Sequence, residues 1–196
     1  MRRELKPPVK IFVALLRGVN VGGKNMIRMS SLKESFERMG FGDVATYINS
    51  GNIIFTTQEG DARKLERSIE GMLSSEYALE CKVVVRSLSE MADLVKSLPE
   101  TWDGDGLWKY NVIFLRHSID SENILDGLKP ESDIEQIVYR PGTLLWSARI
   151  SDLSRTSMHK LSSRKLFQEM TVRNTNTTRK LYELMKKMAE TEGRRM

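Results

Sequence analysis

The stretch VATYINSGNIIFT, residues 44–56, decides the predicted fold. Two runs that favour β-structure, 44–48 and 53–56, flank the polar segment Asn49-Ser50-Gly51-Asn52. Such runs joined by Asn and Gly are typical of a β-hairpin. The sequence therefore predicts two antiparallel neighbours with an amide-rich turn between them.

The segments around this hairpin complete a β-α-β-β-α-β order. Residues 10–16 and 82–85 are apolar runs without helical spacing, which indicates buried strands. Ser31 and Glu34 have the spacing of a capping box, which predicts a helix before the hairpin, and Asp61 can cap a second helix after it. This order predicts a ferredoxin-like unit.

The second half repeats the pattern in part. The predicted elements are a helix at 88–98 capped by Ser87 with Glu90, a strand at 111–116, a short helix at 122–128, hairpin strands at 134–140 and 144–150, and helices at 161–170 and 177–190. No closing strand is predicted. The expected fold is α+β, a tandem duplication of ferredoxin-like βαββαβ units with antiparallel or mixed sheets and a helical C-terminal part. Residues 1–86 and 87–196 form the two subdomains, and we expect one compact body because no Pro-, Gly- or Ser-rich linker separates them.

A long glycine-containing loop, RGVNVGGKN at residues 17–25, follows the first strand. Its glycines permit a close approach of the backbone to a ligand, and its Arg, Lys and Asn side chains are donors that suit an anion. The loop lacks the spacing of a phosphate-binding loop of nucleoside triphosphatases, so that activity is not predicted. A structural turn without a ligand is the alternative interpretation.

Topology is expected to bring this loop to the hairpin. A right-handed crossover makes strands one and two parallel, with strand three between them. The loop 17–25 and the turn 49–52 then lie at the same edge of the sheet, together with residues 77–80.

A third polar stretch, TVRNTNT at residues 171–177, precedes the last predicted helix. Asn174 or Asn176 can be the N-cap of that helix, while Arg173 beside a helix N-terminus can also bind an anion. Both interpretations stay open. The candidate ligand-binding residues are Arg17, Asn20, Gly22, Gly23, Lys24, Asn25, Tyr47, Asn49, Ser50, Asn52, Arg173 and Asn174.

The charge distribution and the cysteine content indicate which partners and which cellular compartment to expect. The net charge of +5 is uneven, because the segment from Arg149 to the C-terminus carries +7 and the rest −2. A basic segment suggests an anionic partner or a solvated helix face. Cys81 is the one cysteine, so no internal disulfide can form, and the apolar run before Arg17 is too short for a signal or membrane segment. We expect a cytoplasmic protein without a membrane association.

No catalytic or metal-binding pattern is evident. His117 and His159 are far apart in sequence, and neither has a Cys or carboxylate at ligand spacing, so neither a metal nor a cofactor is expected. The three tryptophans could stack on a nucleobase, but packing in the core or on the surface is the preferred interpretation for Trp102, Trp108 and Trp146. Two tyrosines, Tyr47 and Tyr139, occupy comparable places in the two hairpins. A structural role is the preferred interpretation for both.

Three segments, residues 13–25, 46–52 and 170–177, resemble the hallmark segments of a family called domain of unknown function 1697. The resemblance implies an α+β protein with duplicated ferredoxin-like halves, found mostly in bacteria, and implies no activity. Thr175 departs from the family pattern, which has a tryptophan there in many relatives.

Three functions compete at this point. The first is binding of a phosphate-bearing ligand, a nucleotide or nucleic acid, at the edge that the glycine loop and the hairpin share. The second is an enzyme for a small anionic metabolite, with Lys24 or Tyr47 as acid or base and Arg17 as a charge clamp. The third is an interaction module whose basic C-terminal helices bind an acidic partner.

Overall fold

The first half of the chain alternates strands and helices in the predicted order. The computed structural model describes residues 9–23, 25–102 and 106–195. The elements of the first half are β1 (Lys10–Leu16), α1 (Met29–Arg38), β2 (Gly42–Thr46), β3 (Asn52–Thr57), α2 (Ala62–Tyr77) and β4 (Val83–Ser87).

These four strands form one sheet in the order β2-β3-β1-β4, and all neighbours are antiparallel. Since β1 and β2 both run antiparallel to β3, they are parallel to each other, as the sequence predicted. In the centre of the sheet, Ala14 lies opposite Ile53 on one side and Val85 on the other.

Of the three helix caps predicted before residue 100, two are confirmed. Asp61 accepts hydrogen bonds from two backbone N–H groups at the start of α2. Ser87 and Glu90 form the full capping box of the next helix. The capping box of Ser31 with Glu34 is wrong, because α1 begins at Met29 and Ser31 already lies in its first turn.

A second, similar sheet follows in the C-terminal half. Its elements are α3 (Leu88–Ser97), β5 (Trp108–Leu115), β6 (Glu135–Arg140), β7 (Thr143–Arg149), α4 (Met158–Ser162), β8 (Met170–Asn174) and α5 (Thr175–Arg195), with 3-10 helices at Glu122–Leu125, Ile150–Arg155 and Lys165–Glu169. The strand order β6-β7-β5-β8 matches that of the first sheet, again with antiparallel neighbours. The chain is therefore a mixed α+β protein with two similar four-stranded sheets.

The end of the second half differs from the prediction. The helix expected at 161–170 is replaced by α4, a 3-10 helix and the strand β8, which pairs with β5. The closing strand predicted to be missing is thus present. The short helix expected at 122–128 is a 3-10 helix of four residues.

Helices and sheets alternate in layers around three hydrophobic clusters. One cluster lies between α1, α2 and the first sheet, and another lies between the second sheet and the short helices that follow β5 and β7. The third contains side chains from α3, α5 and one face of each sheet, among them Val13, Met91, Val112 and Leu181. The two sheets therefore share one apolar layer, which contains α3 and α5.

Two buried arginines connect the sheets reciprocally. Arg173 of β8 donates to the carbonyl groups of Leu16 and Gly51, at the end of β1 and in the first hairpin. Arg86 of β4 donates to the carbonyl groups of Leu115 and Gly142, which are the corresponding places in the second sheet. An arginine on the last strand of each sheet thus donates hydrogen bonds to the hairpin of the other sheet.

None of the helices in the described part of the chain combines the length and the apolar composition needed to cross a bilayer.

Candidate functional site

The glycine loop lies directly beside the first hairpin. The Asn20 amide donates to the carbonyl of Asn49 at 2.8 Å and to that of Ile27 at 2.9 Å, and its oxygen accepts from the Ile27 N–H at 2.8 Å. At the base of the loop, the Leu16 N–H donates to the carbonyl of Gly51 at 2.8 Å. Asn20 therefore connects the two ends of the loop to the turn, which agrees with the topology expected from the sequence.

The loop backbone uses left-handed conformations at several positions. Gly22 and Gly23 have φ of 60° and 75°, and no atom lies within 4 Å of where a Cβ would stand on either. Asn20 and Asn25 also have positive φ, and the Asn25 amide donates to the carbonyl of Gly18 at 3.1 Å. The two glycines thus leave an open, solvent-facing stretch of backbone. Lys24 lies outside the described residues.

Arg173 is buried against the hairpin rather than exposed at the helix N-terminus. Its Nε donates to the Oδ1 of Asn52 at 2.5 Å, and its Nη2 donates to the carbonyl of Ser50 at 3.1 Å besides those of Leu16 and Gly51. Among the described residues, no carboxylate forms an ion pair with Arg173, and burial lowers its pKa to about 10. Because its donors already have acceptors, a role toward a ligand stays a prediction.

Arg17 is also engaged within the protein. Its Nη1 donates to the carbonyl of Met170 at 2.6 Å, and its guanidinium lies 5.0 Å from the ring centre of Phe167. Partial burial lowers its pKa from the ordinary value. Arg17, which directly follows β1, thus contacts the start of β8 in the second half of the chain.

The remaining predicted site residues divide between cap, turn and surface. Asn174 caps α5 through a hydrogen bond from the N–H of Thr177 at 2.7 Å, which decides between the two predicted N-caps. The fully buried Asn52 amide donates to Ser50 Oγ and to the Tyr47 carbonyl, both at 3.1 Å. Tyr47 packs its ring against the apolar layer between the sheets. A binding role for these four residues stays a prediction.

A cavity of about 620 Å³ opens where the loop, the hairpin and the start of α1 meet. Its lining residues are Asn20, Met26, Ile27, Arg28, Met29, Ser30 and Asn49. Of these, only Asn20 and Asn49 belong to the residues singled out from the sequence. The segment 26–30 was missed because the predicted capping box placed the helix start too late.

The first turn of α1 faces this cavity with free donors. No side chain caps the helix, and no acidic residue lies in its first turn. The first intrahelical bond runs from the Leu32 N–H to the carbonyl of Arg28, so the N–H groups of Met29, Ser30 and Ser31 have no acceptor among the described residues. Free N–H groups at a helix start attract negative charge, and the exposed Arg28 adds a full positive charge.

Thiol and metal chemistry find little support at this edge. Cys81 is buried, and burial raises its pKa to about 11, so the thiol stays protonated at neutral pH. Within residues 9–23, 25–102 and 106–195 there is no group of three or more His, Cys, Asp or Glu side chains that could hold a metal ion. The groups that remain for chemistry here are hydrogen-bond donors and cations.

Comparison with known proteins identifies a family and a fold. A family model described as "Protein of unknown function (DUF1697)" matches residues 9–146. A conserved bacterial protein of known structure, SP0830 from Streptococcus pneumoniae, is 26% identical, with a TM-score of 0.79 over 91% of this chain and 99% of that one. No curated protein matches the chain.

Proposed function

The chain belongs to the DUF1697 family of proteins of unknown function, and we propose that it binds a phosphate-bearing ligand, a nucleotide or a nucleic acid, in the cavity between the glycine loop and α1. The observation that carries this proposal is the uncapped start of α1 at the wall of that cavity. A phosphate group there accepts hydrogen bonds from the N–H groups that have no acceptor in the protein.

The charges around the cavity support a phosphate over a neutral ligand. Arg28, at the N-cap position, lies beside the free N–H groups, and none of the described residues that line the cavity is a carboxylate. Lys24 of the adjoining loop is the second cation of the proposal, and Arg17 and Arg173 add positive potential from within the protein. Since guanidinium groups hydrogen-bond phosphate with two N–H groups at once, Arg28 is the principal side-chain contact.

The neutral part of the cavity supports a ligand larger than phosphate alone. A volume of about 620 Å³ lies within the range of nucleotide-sized sites. The amide of Asn49 and the hydroxyl of Ser30 offer donors and acceptors for a sugar or base. Met26 is 72% exposed at the rim, where its thioether can contact the flat face of a base.

A thermal shift experiment tests the proposal with mononucleotides, sugar phosphates and short RNA and DNA oligonucleotides. A ligand at about a hundred times its Kd stabilises the folded state by about 2.7 kcal/mol, which raises the Tm of a chain this size by roughly 5 to 11 °C. We expect one class of phosphate ligand to produce this shift and the matching unphosphorylated compounds to produce none.

Matched variants decide whether the shift comes from this cavity. Arg28→Gln removes the cation and is expected to weaken binding at least tenfold, and Lys24→Ala is expected to weaken it less. Arg67→Gln is the control, because Arg67 is exposed on α2 away from the cavity lining. A shift that persists unchanged in Arg28→Gln, or the absence of a shift with every phosphate ligand, contradicts the proposal.

We also infer that the two halves are copies of one ferredoxin-like unit, divided near residues 86 and 87. The equal strand orders and the corresponding positions of Arg86 and Arg173 support this inference. The shared apolar layer supports a single compact body made of both copies.

A further inference from the structure

The second hairpin borders a cavity of its own, which the family comparison and the proposed function leave unassigned. This cavity has a volume of about 350 Å³ and lies between α3, the segment after β5 and the turn that joins β6 to β7. Leu94 and Pro141 give it apolar walls, and Arg86 and Thr143 lie on its lining. Its position in the second sheet therefore corresponds to the place in the first sheet where Arg173 contacts the hairpin.

The two places differ in one residue that follows the hairpin turn. In the first sheet, the Oδ1 of Asn52 accepts a hydrogen bond from the Nε of Arg173 at 2.5 Å. In the second sheet, the hairpin strand begins at Thr143, whose shorter side chain corresponds to that of Asn52. An amide oxygen therefore completes the arginine site in one half and is missing from the other.

On the lining of the second cavity, one buried hydroxyl has no hydrogen-bond partner among the described residues, and one guanidinium nitrogen has only a long ion pair. The Oγ1 of Thr143 is buried without a hydrogen bond, and the residue is 2% exposed. The Nε of Arg86 has no hydrogen-bond acceptor among the described residues, since the nearest carboxylate oxygen, on Glu90, is 3.9 Å away. An unmade hydrogen bond of a buried group costs about 1 to 3 kcal/mol, so a ligand that supplies an acceptor here gains affinity.

The charges around the cavity are balanced. Three cationic and three anionic side chains line it: Arg86, Arg140, His117, Glu90, Asp93 and Asp120. Three of these side chains, Arg86, Glu90 and His117, bind one another or the backbone. Among the described residues, Asp93 has no ion-pair partner, and the side chain of Arg140 donates only to the carbonyl of Tyr139. Opposite free charges at the mouth suit a ligand that also carries both signs.

We propose that this cavity binds a small zwitterion of the amino-acid type. A carboxylate oxygen of the ligand takes the place that the Asn52 amide oxygen has in the first sheet, accepting from the Nε of Arg86 and the hydroxyl of Thr143. The ammonium group faces the carboxylates of Asp93 and Asp120. The apolar walls at Leu94 and Pro141 contact the ligand's side chain.

Calorimetric titration with the standard amino acids tests the proposal, with acetate and methylamine as probes of each charge alone. At least one amino acid is expected to bind, and neither single-charge probe is expected to bind comparably. Thr143→Val keeps the shape but removes the hydroxyl, and it should weaken binding at least tenfold. Thr143→Asn supplies the missing amide oxygen from the protein and should abolish binding while raising the Tm.

The outcomes separate the possibilities. Binding in the unaltered chain that is at least tenfold weaker in Thr143→Val and abolished in Thr143→Asn supports the site, provided that both variants unfold cooperatively. The proposal is overturned if no amino acid binds, if Thr143→Val binds as tightly as the unaltered chain, or if acetate alone binds as tightly as the best amino acid.

Discussion

Ile48 holds a backbone conformation that β-branched residues rarely adopt. Its φ is 48°, in the left-handed region, and half of its side chain is exposed beside the first hairpin turn. For residues with a Cβ this region costs about 1 to 2 kcal/mol, and Asn tolerates it better than Ile. The cost is retained next to the candidate site, where the turn must meet the glycine loop.

Replacing this residue with Asn is expected to raise the free energy of unfolding by about 1 kcal/mol, because the backbone strain is relieved and little buried apolar surface is lost. Urea denaturation of Ile48→Asn measures the change. Ile48→Val, which keeps the branched Cβ, is the control and should show no gain. A destabilised Ile48→Asn with unchanged cooperativity would mean that the side chain contributes more than the strain costs.

The positions of some site residues could be predicted from the sequence, and those of others could not. Asn20 and Asn49 could be placed together from the order of strands, because both lie at the ends of elements whose pairing the hairpin determines. The burial of Arg173 could not, since the carbonyl groups of Leu16 and Gly51 that accept from it in the first sheet are more than 120 residues away in the chain. A local pattern of Arg and Asn before a helix is the same whether the arginine faces solvent or the core.

At the scale of elements, a partly buried charge network joins the segment after β5 to α2 and α3. The Nδ1 of His117 lies 3.2 Å from a carboxylate oxygen of Glu66, and its Nε2 lies 3.7 Å from one of Glu90. The hydrogen bond with Glu66, together with the nearby carboxylate of Glu90, raises the pKa of His117 from 6.5 to about 9. Partial burial opposes ionisation of Glu90, yet the neighbouring His117 and the hydrogen bonds from Ser87 lower its pKa to about 2.

The network predicts a pH-dependent contribution to stability. Because the folded pKa of His117 exceeds the unfolded value, its contribution is fully present below pH 6.5 and is lost as the pH rises through about 9. His117→Gln should therefore cost about 1 to 2 kcal/mol at pH 6, allowing for solvent screening, and almost nothing above pH 10. Urea denaturation at both pH values measures this difference. His159→Gln is the control, since His159 is exposed; an equal cost of His117→Gln at both pH values would contradict the assignment.

Elements with strong local signals were predicted and those set by distant contacts were not. The first hairpin, the Asp61 cap and the Ser87 capping box follow from residues a few positions apart. The five-residue strand β8 was not predicted, and residues 171–174 were read as part of a polar stretch before the last helix, because the strand character depends on pairing with β5. The start of α1 was misplaced because Asn20 holds Ile27, and thereby the entry to the helix, through tertiary hydrogen bonds.

At the scale of the whole molecule, α5 is part of the structure that joins the two sheets. Leu181 and Met185 are fully buried in the layer that both sheets share, whereas Lys186 and Lys187 of the same helix are exposed. The basic residues of the C-terminal segment thus include a solvated face of a helix whose other face is core. An interaction module that could be removed without unfolding the first half is not compatible with this packing.

Deleting residues 175–196 is accordingly expected to abolish cooperative unfolding, because the shared apolar layer loses one wall. Leu181→Ala should cost about 2 to 5 kcal/mol, while Lys187→Ala should change the free energy of unfolding by less than about 0.5 kcal/mol. Circular dichroism during thermal denaturation distinguishes these variants. A truncated chain that still melts cooperatively would restore the interaction-module interpretation.

The uncapped first turn of α1 is the proposed phosphate site, so its own amide groups report on binding. The most direct measurement is a titration with inorganic phosphate and then with the best nucleotide, followed by amide chemical shifts in nuclear magnetic resonance spectra. We expect the largest changes at the N–H groups of Met29, Ser30 and Ser31, and we expect these changes to diminish in Arg28→Gln. Saturable changes confined to other parts of the chain, or no changes at these three amides, would contradict the proposed site.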